Sequence, residues 1–547
     1  MRISWQQTRA ALAADWRAGA SEIRDLLRSR DLHLALWLCV PALILGAALR
    51  AHFCLEAPYG FFLSDTRDFI DAARNFLKGP LGVFGGDSRT FLAPVLYSVP
   101  VALGAPLLRV VPWGQHAIGL AMIVLAGLLC AAWLRRWRLW IVPVTLLAAA
   151  HPTVLWYEHM ALPESMFVAL AVATAAAVAL FLRWPSSATF SVLMASVFLA
   201  AGARQEGFLF ALAPAVAATV AFRRDARRMA AYLLACAAFI ALTTRASRTT
   251  QGGQMLLTSL IHLAPDRLFL TPDYSARAVA LRERFGPQWP MYPAKHNKSR
   301  DIIVDDMASF LRDGRGLSET DQRLTNNAAC KWVALEIAVR RWWALPRIAY
   351  NKWRATHLEP PSPPFGGEWP AQYALKKSFG EEDSKERKYL RRLFGRSYDA
   401  ADAFERDLRE VYYRDGRQVL LRAWQEWFIP RSLWPHDPAN VPLEGPGEIK
   451  QQMPRLPWLY PLGLAGLLCA ALAADRPRRA SILTWLSMLL VVAFVVGLVG
   501  SLRSRYRLTF EPYWYIGLAG LCDAGLALAL AAWRNLRAGG RARGQGG

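Results

Sequence analysis

Residues 115–156 read QHAIGLAMIVLAGLLCAAWLRRWRLWIVPVTLLAAAHPTVLW, two apolar runs at 115–134 and 139–156 held apart by Arg135, Arg136, Trp137 and Arg138. An apolar run of about 20 residues wound as a helix covers about 30 Å, the hydrocarbon thickness of a bilayer. A short arginine turn between two such runs belongs on the cytoplasmic face, where loops collect Lys and Arg.

The same alternation extends in both directions. Apolar runs at 33–52, 164–183, 188–203, 207–222, 229–246, 457–474, 480–501 and 510–533 join the first two, for about ten spans. With the N-terminus inside, the loops holding Arg135 to Arg138, Arg183, the run Arg223-Arg224-Asp225-Ala226-Arg227-Arg228, and Arg476-Pro477-Arg478-Arg479 all fall on the cytoplasmic side, as does the basic tail 534–547. The chain is therefore expected to be an α-helical polytopic membrane protein. Composition agrees: 547 residues that are 54% hydrophobic with 22 tryptophans would leave large apolar patches on a soluble domain. The net charge of +23 sits in loops between spans, with no basic water-soluble module, which excludes a nucleic-acid binder.

The expected organisation is a cytoplasmic segment 1–32 and a transmembrane module 33–249, then an external domain 250–455, transmembrane helices 456–533 and the tail. The first span reads as a retained signal anchor in a bacterial inner membrane. An external loop at 54–90 follows it. The segment 91–111 carries Pro94, Pro100 and Pro106, with Pro112 just beyond, and reads as a broken, interfacial or re-entrant helix. Counting it as a span would invert the arginine loops. In the external domain, 331–357 is rich in Trp, Arg and aliphatics around Pro346; it fits a helix on the membrane surface or one packed on its own core. The seven cysteines form no CxxC pair and lack metal-spaced histidines, so no zinc cluster is expected; Cys54 and Cys330 fall outside the spans, where a disulfide is open to them.

Polar residues at the external ends of the spans are the candidates for chemistry. Asp65 follows the first span, with Phe69, Ala72 and Ala73 on one helical face behind it. A carboxylate at a cavity mouth can take the proton of an attacking alcohol, and Ser64 or Asp65 would equally cap a helix. Glu158 and Glu164 flank the turn between the third and fourth spans, where they could bind an acceptor, orient the base or hold a divalent metal. Pro163-Glu164 is also an ordinary helix start. Arg204, Gln205 and Glu206, and Arg505, Tyr506 and Arg507, depart from the positive-inside pattern. Arginine forks suit phosphate oxygens; the plainer alternatives are an Arg204–Glu206 pair and arginines reaching to lipid headgroups.

In order and spacing these motifs resemble the GT-C glycosyltransferases of membranes, particularly bacterial relatives of protein O-mannosyltransferases and lipid A aminoarabinose transferase. The similarity covers roughly 33–246 and 457–533. It implies a GT-C-like bundle with a large periplasmic domain, in which Asp65 is the general base and Glu158 or Glu164 the second-loop acid. Glu164 would share the catalytic role with Asp65. Glu158, Arg204, Glu206, Arg505, Tyr506 and Arg507 would then bind substrate, the arginines as phosphate contacts. The implied reaction is inverting transfer from a polyprenyl-phosphate sugar to a hydroxyl on a glycan, lipid or protein among membrane lipids. No nucleotide-binding glycine loop is present, in keeping with a lipid donor. Ser64 stands where relatives often carry a second acid or a glycine, and 250–455 matches no known pattern. A transporter or flippase of lipid-linked precursors is the rival reading; it would need charges along a path to both faces. A non-catalytic assembly subunit is a third.

Overall fold

The computed structural model describes residues 5–56, 64–79, 90–105, 107–246, 252–285, 319–350, 459–499 and 509–544. Among these, regular structure is helical and no strand is present. The N-terminal part runs α1 (Trp5–Arg28), α2 (Arg30–Glu56), α3 (Ser64–Lys78), α4 (Leu92–Ala102), α5 (Leu107–Trp133), α6 (Trp137–Ala149), α7 (Pro152–Glu158), α8 (Glu164–Arg183) and α9 (Ser187–Ala203). A 3-10 helix, Gln205–Ala211, then leads into α10 (Leu212–Ala221), followed by α11 (Ala226–Ala246). Outside the bundle lie α12 (Gly252–Leu260), α13 (Ser275–Phe285) and α14 (Glu319–Arg340); α15 (Leu459–Ala473), α16 (Arg476–Val499) and α17 (Glu511–Gly544) return to it.

Among the described residues, five helical segments are long and apolar enough to cross a membrane: Arg30–Leu55, Arg109–Trp133, Glu164–Arg183, Arg476–Val496 and Glu511–Asn535. Helices α4, α6 and α9, the 205–221 segment and the Tyr460–Ala473 part of α15 are apolar but shorter. The expected span at 229–246 is helical as α11 but belongs to neither group.

Two breaks differ from the sequence expectation. The helix at 91–111 ends at Gly104, whose φ of +64° suits a residue without Cβ. There Gly104 N–H donates to Val101 O and Ala105 N–H to Pro100 O, the paired bonds of a Schellman turn. Helix α5 then runs through Pro112, so residues 107–111 belong to the second membrane-length helix. The third expected span, 139–156, is divided: α6 has 13 residues and ends at Ala149, and Pro152, which has no N–H to give, starts α7 anew.

Small residues set the packing. Helix α8 is buried along nearly its whole length, with Ala171, Ala175, Ala177 and Ala179 letting α5, α9 and α16 approach. Helices α15 and α17 touch backbone to backbone: a Cβ on Gly517 would lie 2.0 Å from Gly463 O.

The bundle has two polar ends. At one, Arg138 pairs with Asp31, and Arg136 and Trp140 both donate to Asp523. At the same end Asp15 accepts from Ser187 and Tyr232, and Arg479 donates to the last carbonyls of α15. The arginine loops thus share one end. At the opposite end Arg50, His116, Glu158, Glu164, Arg204 and Glu511 come together in buried or half-buried pairs. Asp31 and Arg50 lie on one helix, about 28 Å apart at 1.5 Å per residue, close to a hydrocarbon thickness.

In the unit formed by α12, α13 and α14, Leu257, Leu260, Ile261, Val333, Ala334 and Ile337 form a separate core. The Glu336 carboxylate accepts the backbone N–H groups of Phe269, Leu270 and Thr271, and the Thr271 hydroxyl. Burial raises the Glu336 pKa, but those hydrogen bonds outweigh it and hold the carboxyl below its ordinary value of 4.5. Within 331–357 one face of the helix packs on the unit's own core and another is apolar and exposed. Val333, Ala334 and Ile337 face the core, whereas Trp332, Leu335 and Val339 are exposed, as are Trp342 and Trp343 just beyond. The interruption falls at Arg341 rather than Pro346, and 351–357 lies outside the described residues. Cys330 is a free buried thiol, pushed by burial up to about 12, and Cys54 is also free, so the two form no disulfide.

Candidate functional site

Arg50 sits near the end of α2 with its side chain buried, which an isolated guanidinium would not tolerate. Its charge is met at once: Nη2 donates to Glu158 Oε1 at 2.6 Å, and Nη1 donates to Gly46 O and to Ala149 O, a terminal carbonyl of α6. The second Glu158 oxygen lies 2.8 Å from His116 Nδ1, and His116 Nε2 lies 3.2 Å from His159 Nδ1. Glu158, His116 and His159 are all buried. The carboxylate fits because Gly119 faces it: a Cβ there would stand 1.9 Å from Glu158 Oε1. Phe53 packs its ring 4.5 Å from that of His159 and 6.0 Å from that of His116, closing the group with an apolar wall.

A second group adjoins the first through α5, where Gln115 precedes His116. Gln115 Nε2 donates to the Tyr97 hydroxyl at 2.9 Å and its Oε1 accepts from Ser165 at 2.7 Å, beside Glu164. Helices α8 and α9 form a hairpin, so Arg204, just past the end of α9, returns to the start of α8. Its Nη1 donates to Glu164 Oε1 at 2.5 Å, and its Nε and Nη2 donate at 3.0 Å to the two oxygens of Glu206. Arg204 and Glu206 keep partial exposure while Glu164 is buried. The return end of the first loop lies against this group, where the Thr90 hydroxyl donates to Ala203 O. Helix α3 packs along α4, which carries Tyr97.

A third pair is His151 Nε2 with Glu511 Oε2 at 2.5 Å; the Tyr460 hydroxyl donates to the other Glu511 oxygen at 3.4 Å. It joins the ends of α6, α15 and α17.

The sequence-derived residues divide accordingly. Glu164, Arg204 and Glu206 are brought into one cluster. Glu158 is fully buried between Arg50 and His116. Asp65 stands in the first turn of α3, whose face of Thr66, Phe69, Ile70 and Ala73 is buried. The Asp65 side chain, and Arg505, Tyr506 and Arg507, lie outside the described residues. Arg50, Tyr97, Gln115, His116, His151, His159 and Glu511 were missed. Their signal was a polar residue within or bordering an apolar run, most plainly Gln115-His116 and Arg50. Sequence spacing gives no sign of one further group that the fold assembles. Cys54, His116 and His159, from three separate elements, place ligand atoms within 4.8 Å of one another.

Chemically, the Glu164–Arg204–Glu206 cluster offers carboxylates fixed by a shared guanidinium at partly open positions. The Arg50–Glu158–His116–His159 chain offers a dry, oriented support behind it. No protein-family model matches the chain, and no curated protein matches it by sequence.

Proposed function

We propose that the protein transfers a sugar from a polyprenyl-phosphate donor to an acceptor hydroxyl at the outer face of the bacterial inner membrane. One observation carries the reading. Ionisable side chains from α2, α5, α7, α8 and the turn after α9 converge at the bundle end remote from the arginine loops. A lipid-linked donor presents its phosphosugar at such a face, and the positive-inside rule puts that end outside.

In this reading Asp65 accepts the acceptor's proton and Glu164 orders the reacting groups. Arg204, held from two sides by Glu164 and Glu206, is a cation whose orientation is fixed before substrate binds. Arg505 and Arg507, with the Tyr506 hydroxyl, meet the phosphate as its charge grows on leaving, when preorganised donors favour the transition state over the ground state. Glu158 supports the site without touching substrate. Against the flippase alternative stands the distribution of buried ionisable groups among the described residues of the bundle. Arg50, His116, His151, Glu158, His159, Glu164 and Glu511 belong to one end and Asp523 to the other, without a charged path between.

The test is release of free polyprenyl phosphate from a panel of polyprenyl-phosphate sugars by purified protein in lipid, with membrane extract supplying acceptor. Release by wild type, with a loss of about 10²–10⁴-fold in a folded Asp65→Asn variant, is the expected result for a missing general base. Labelled donor that changes leaflet without being cleaved would replace the proposal with transport.

A further inference from the structure

Cys54, His116 and His159 take no direct part in the proposed transfer step, although the two imidazoles belong to the buried support behind its site. We propose that these three side chains bind a thiophilic d10 metal ion, Zn²⁺ or Cu⁺. The site stands independently of the transferase reading.

Three features support it. First, the donors come from the last turn of α2, from α5 and from the residue following α7, and all three are buried, with ligand atoms within 4.8 Å of one another. A thiolate and two imidazoles are the donor set these metals take, whereas Mg²⁺ and Ca²⁺ take oxygen.

Second, His116 is oriented as a metal ligand would be. Its Nδ1 faces Glu158 Oε2 at 2.8 Å, so the carboxylate draws the ring proton to that side and leaves Nε2 as a lone pair facing His159 Nδ1. Carboxylate, imidazole and metal in line is the usual outer support of such sites. Two imidazole nitrogens on one tetrahedral zinc, each about 2.0–2.1 Å from it, stand about 3.3–3.4 Å apart. The two nitrogens here are 3.2 Å apart.

Third, the charges match. With the thiol deprotonated, Arg50, Glu158 and Cys54 together carry one net negative charge in a site walled by Phe53. Cu⁺ brings the sum to zero with three ligands, while Zn²⁺ leaves one positive charge and takes water as a fourth ligand. On binding, the S–H bond of Cys54 breaks, a sulfur–metal bond forms and the proton leaves to solvent. The ion would staple α2, α5 and the start of the second external turn, the elements that carry Arg50 and Glu158.

The experiment uses full-length protein purified in detergent without chelator and then incubated separately with Zn²⁺ or with Cu⁺ under reducing conditions. Metal content after desalting is read by mass spectrometry and the ligand shell by X-ray absorption at the metal edge. The expected result is about one ion of Zn²⁺ or Cu⁺ per chain, with one sulfur and two nitrogen neighbours. Cys54→Ala and His159→Ala should each lose the ion, Cys469→Ser should retain it, and Glu158→Gln should weaken it by about 10–100-fold. Absence of both ions from wild type, or a bound ion without a sulfur neighbour, overturns the proposal. The sulfur readout needs no variant, so a variant that fails to fold leaves the test intact.

Discussion

Helix α2 carries an ion pair at each end, and the two differ in every respect that matters to energy. Near its start Asp31 meets Arg138 at 2.9 Å, with side chains 69% and 64% exposed. Near its end Arg50 meets Glu158 at 2.6 Å, with 3% and 0% exposed. Water screens the first pair and competes for its hydrogen bonds. The second lies where each charge depends on the other and on the carbonyls of Gly46 and Ala149, so it fixes a conformation that the first cannot. The same contrast runs through the bundle. Its arginine-loop end is held by exposed and half-buried pairs and caps, with Asp523 the buried exception, and its opposite end by a fully buried polar network.

The largest effect that would break or sharpen this contrast is expected from Glu158→Ala, which leaves Arg50 charged and buried. It should destabilise the protein by about 3–5 kcal/mol, read as a lower unfolding midpoint in detergent titration. A wild-type midpoint would mean that the pair does not hold this end. Replacing both partners with apolar residues should recover much of that loss, since no lone charge then remains.

A smaller effect is expected in the α12–α14 unit, where Glu336→Ala removes a carboxylate accepting three backbone N–H groups and a hydroxyl. Hydrogen bonds to a charged group contribute about 1.5–3 kcal/mol. The local loss should appear as faster hydrogen exchange at Phe269, Leu270 and Thr271. The pH dependence has a definite sign. The folded pKa lies below 4.5, so the stabilisation is fully present above that value and is lost as pH falls through the lower folded value. Protection factors at these three amides that stay constant between neutrality and the unfolding pH would contradict the assignment. The smallest effect is expected from Asp31→Ala, about 0–1 kcal/mol. A loss as large as that of Glu158→Ala would erase the distinction between the two ends.

Much of the scaffold was legible in the sequence, because apolar length and arginine punctuation are local properties. Arg135 to Arg138 and the Arg183 loop mark turns that the structure keeps, and 164–183 coincides with α8. Breaks were harder to place. Proline marks where a helix can end, yet α5 continues through Pro112 while α6 stops before Pro152, a choice made by packing and by the Gly104 turn. The cluster of Glu164, Arg204 and Glu206 was approachable because each lies at a span end. His116, His159 and Cys54 were not: 62 residues of sequence separate Cys54 from His116 and 43 separate His116 from His159, and neither period nor motif links them. Arg50 read simply as the end of a span, although a guanidinium bordering an apolar run is a request for a partner.

Sidedness is the claim on which the account turns, and substituted-cysteine labelling tests it most directly. Cys469→Ser and Cys522→Ser remove the two cysteines that are not buried. In that background, Gln205→Cys and Arg135→Cys each introduce a thiol at an exposed position, one at each end of the bundle. A membrane-impermeant maleimide applied to intact cells with a permeable outer envelope should label Gln205→Cys, and should label Arg135→Cys only after the inner membrane is opened. Labelling of Arg135→Cys from outside, with Gln205→Cys protected, would turn the molecule over and contradict an outward-facing site.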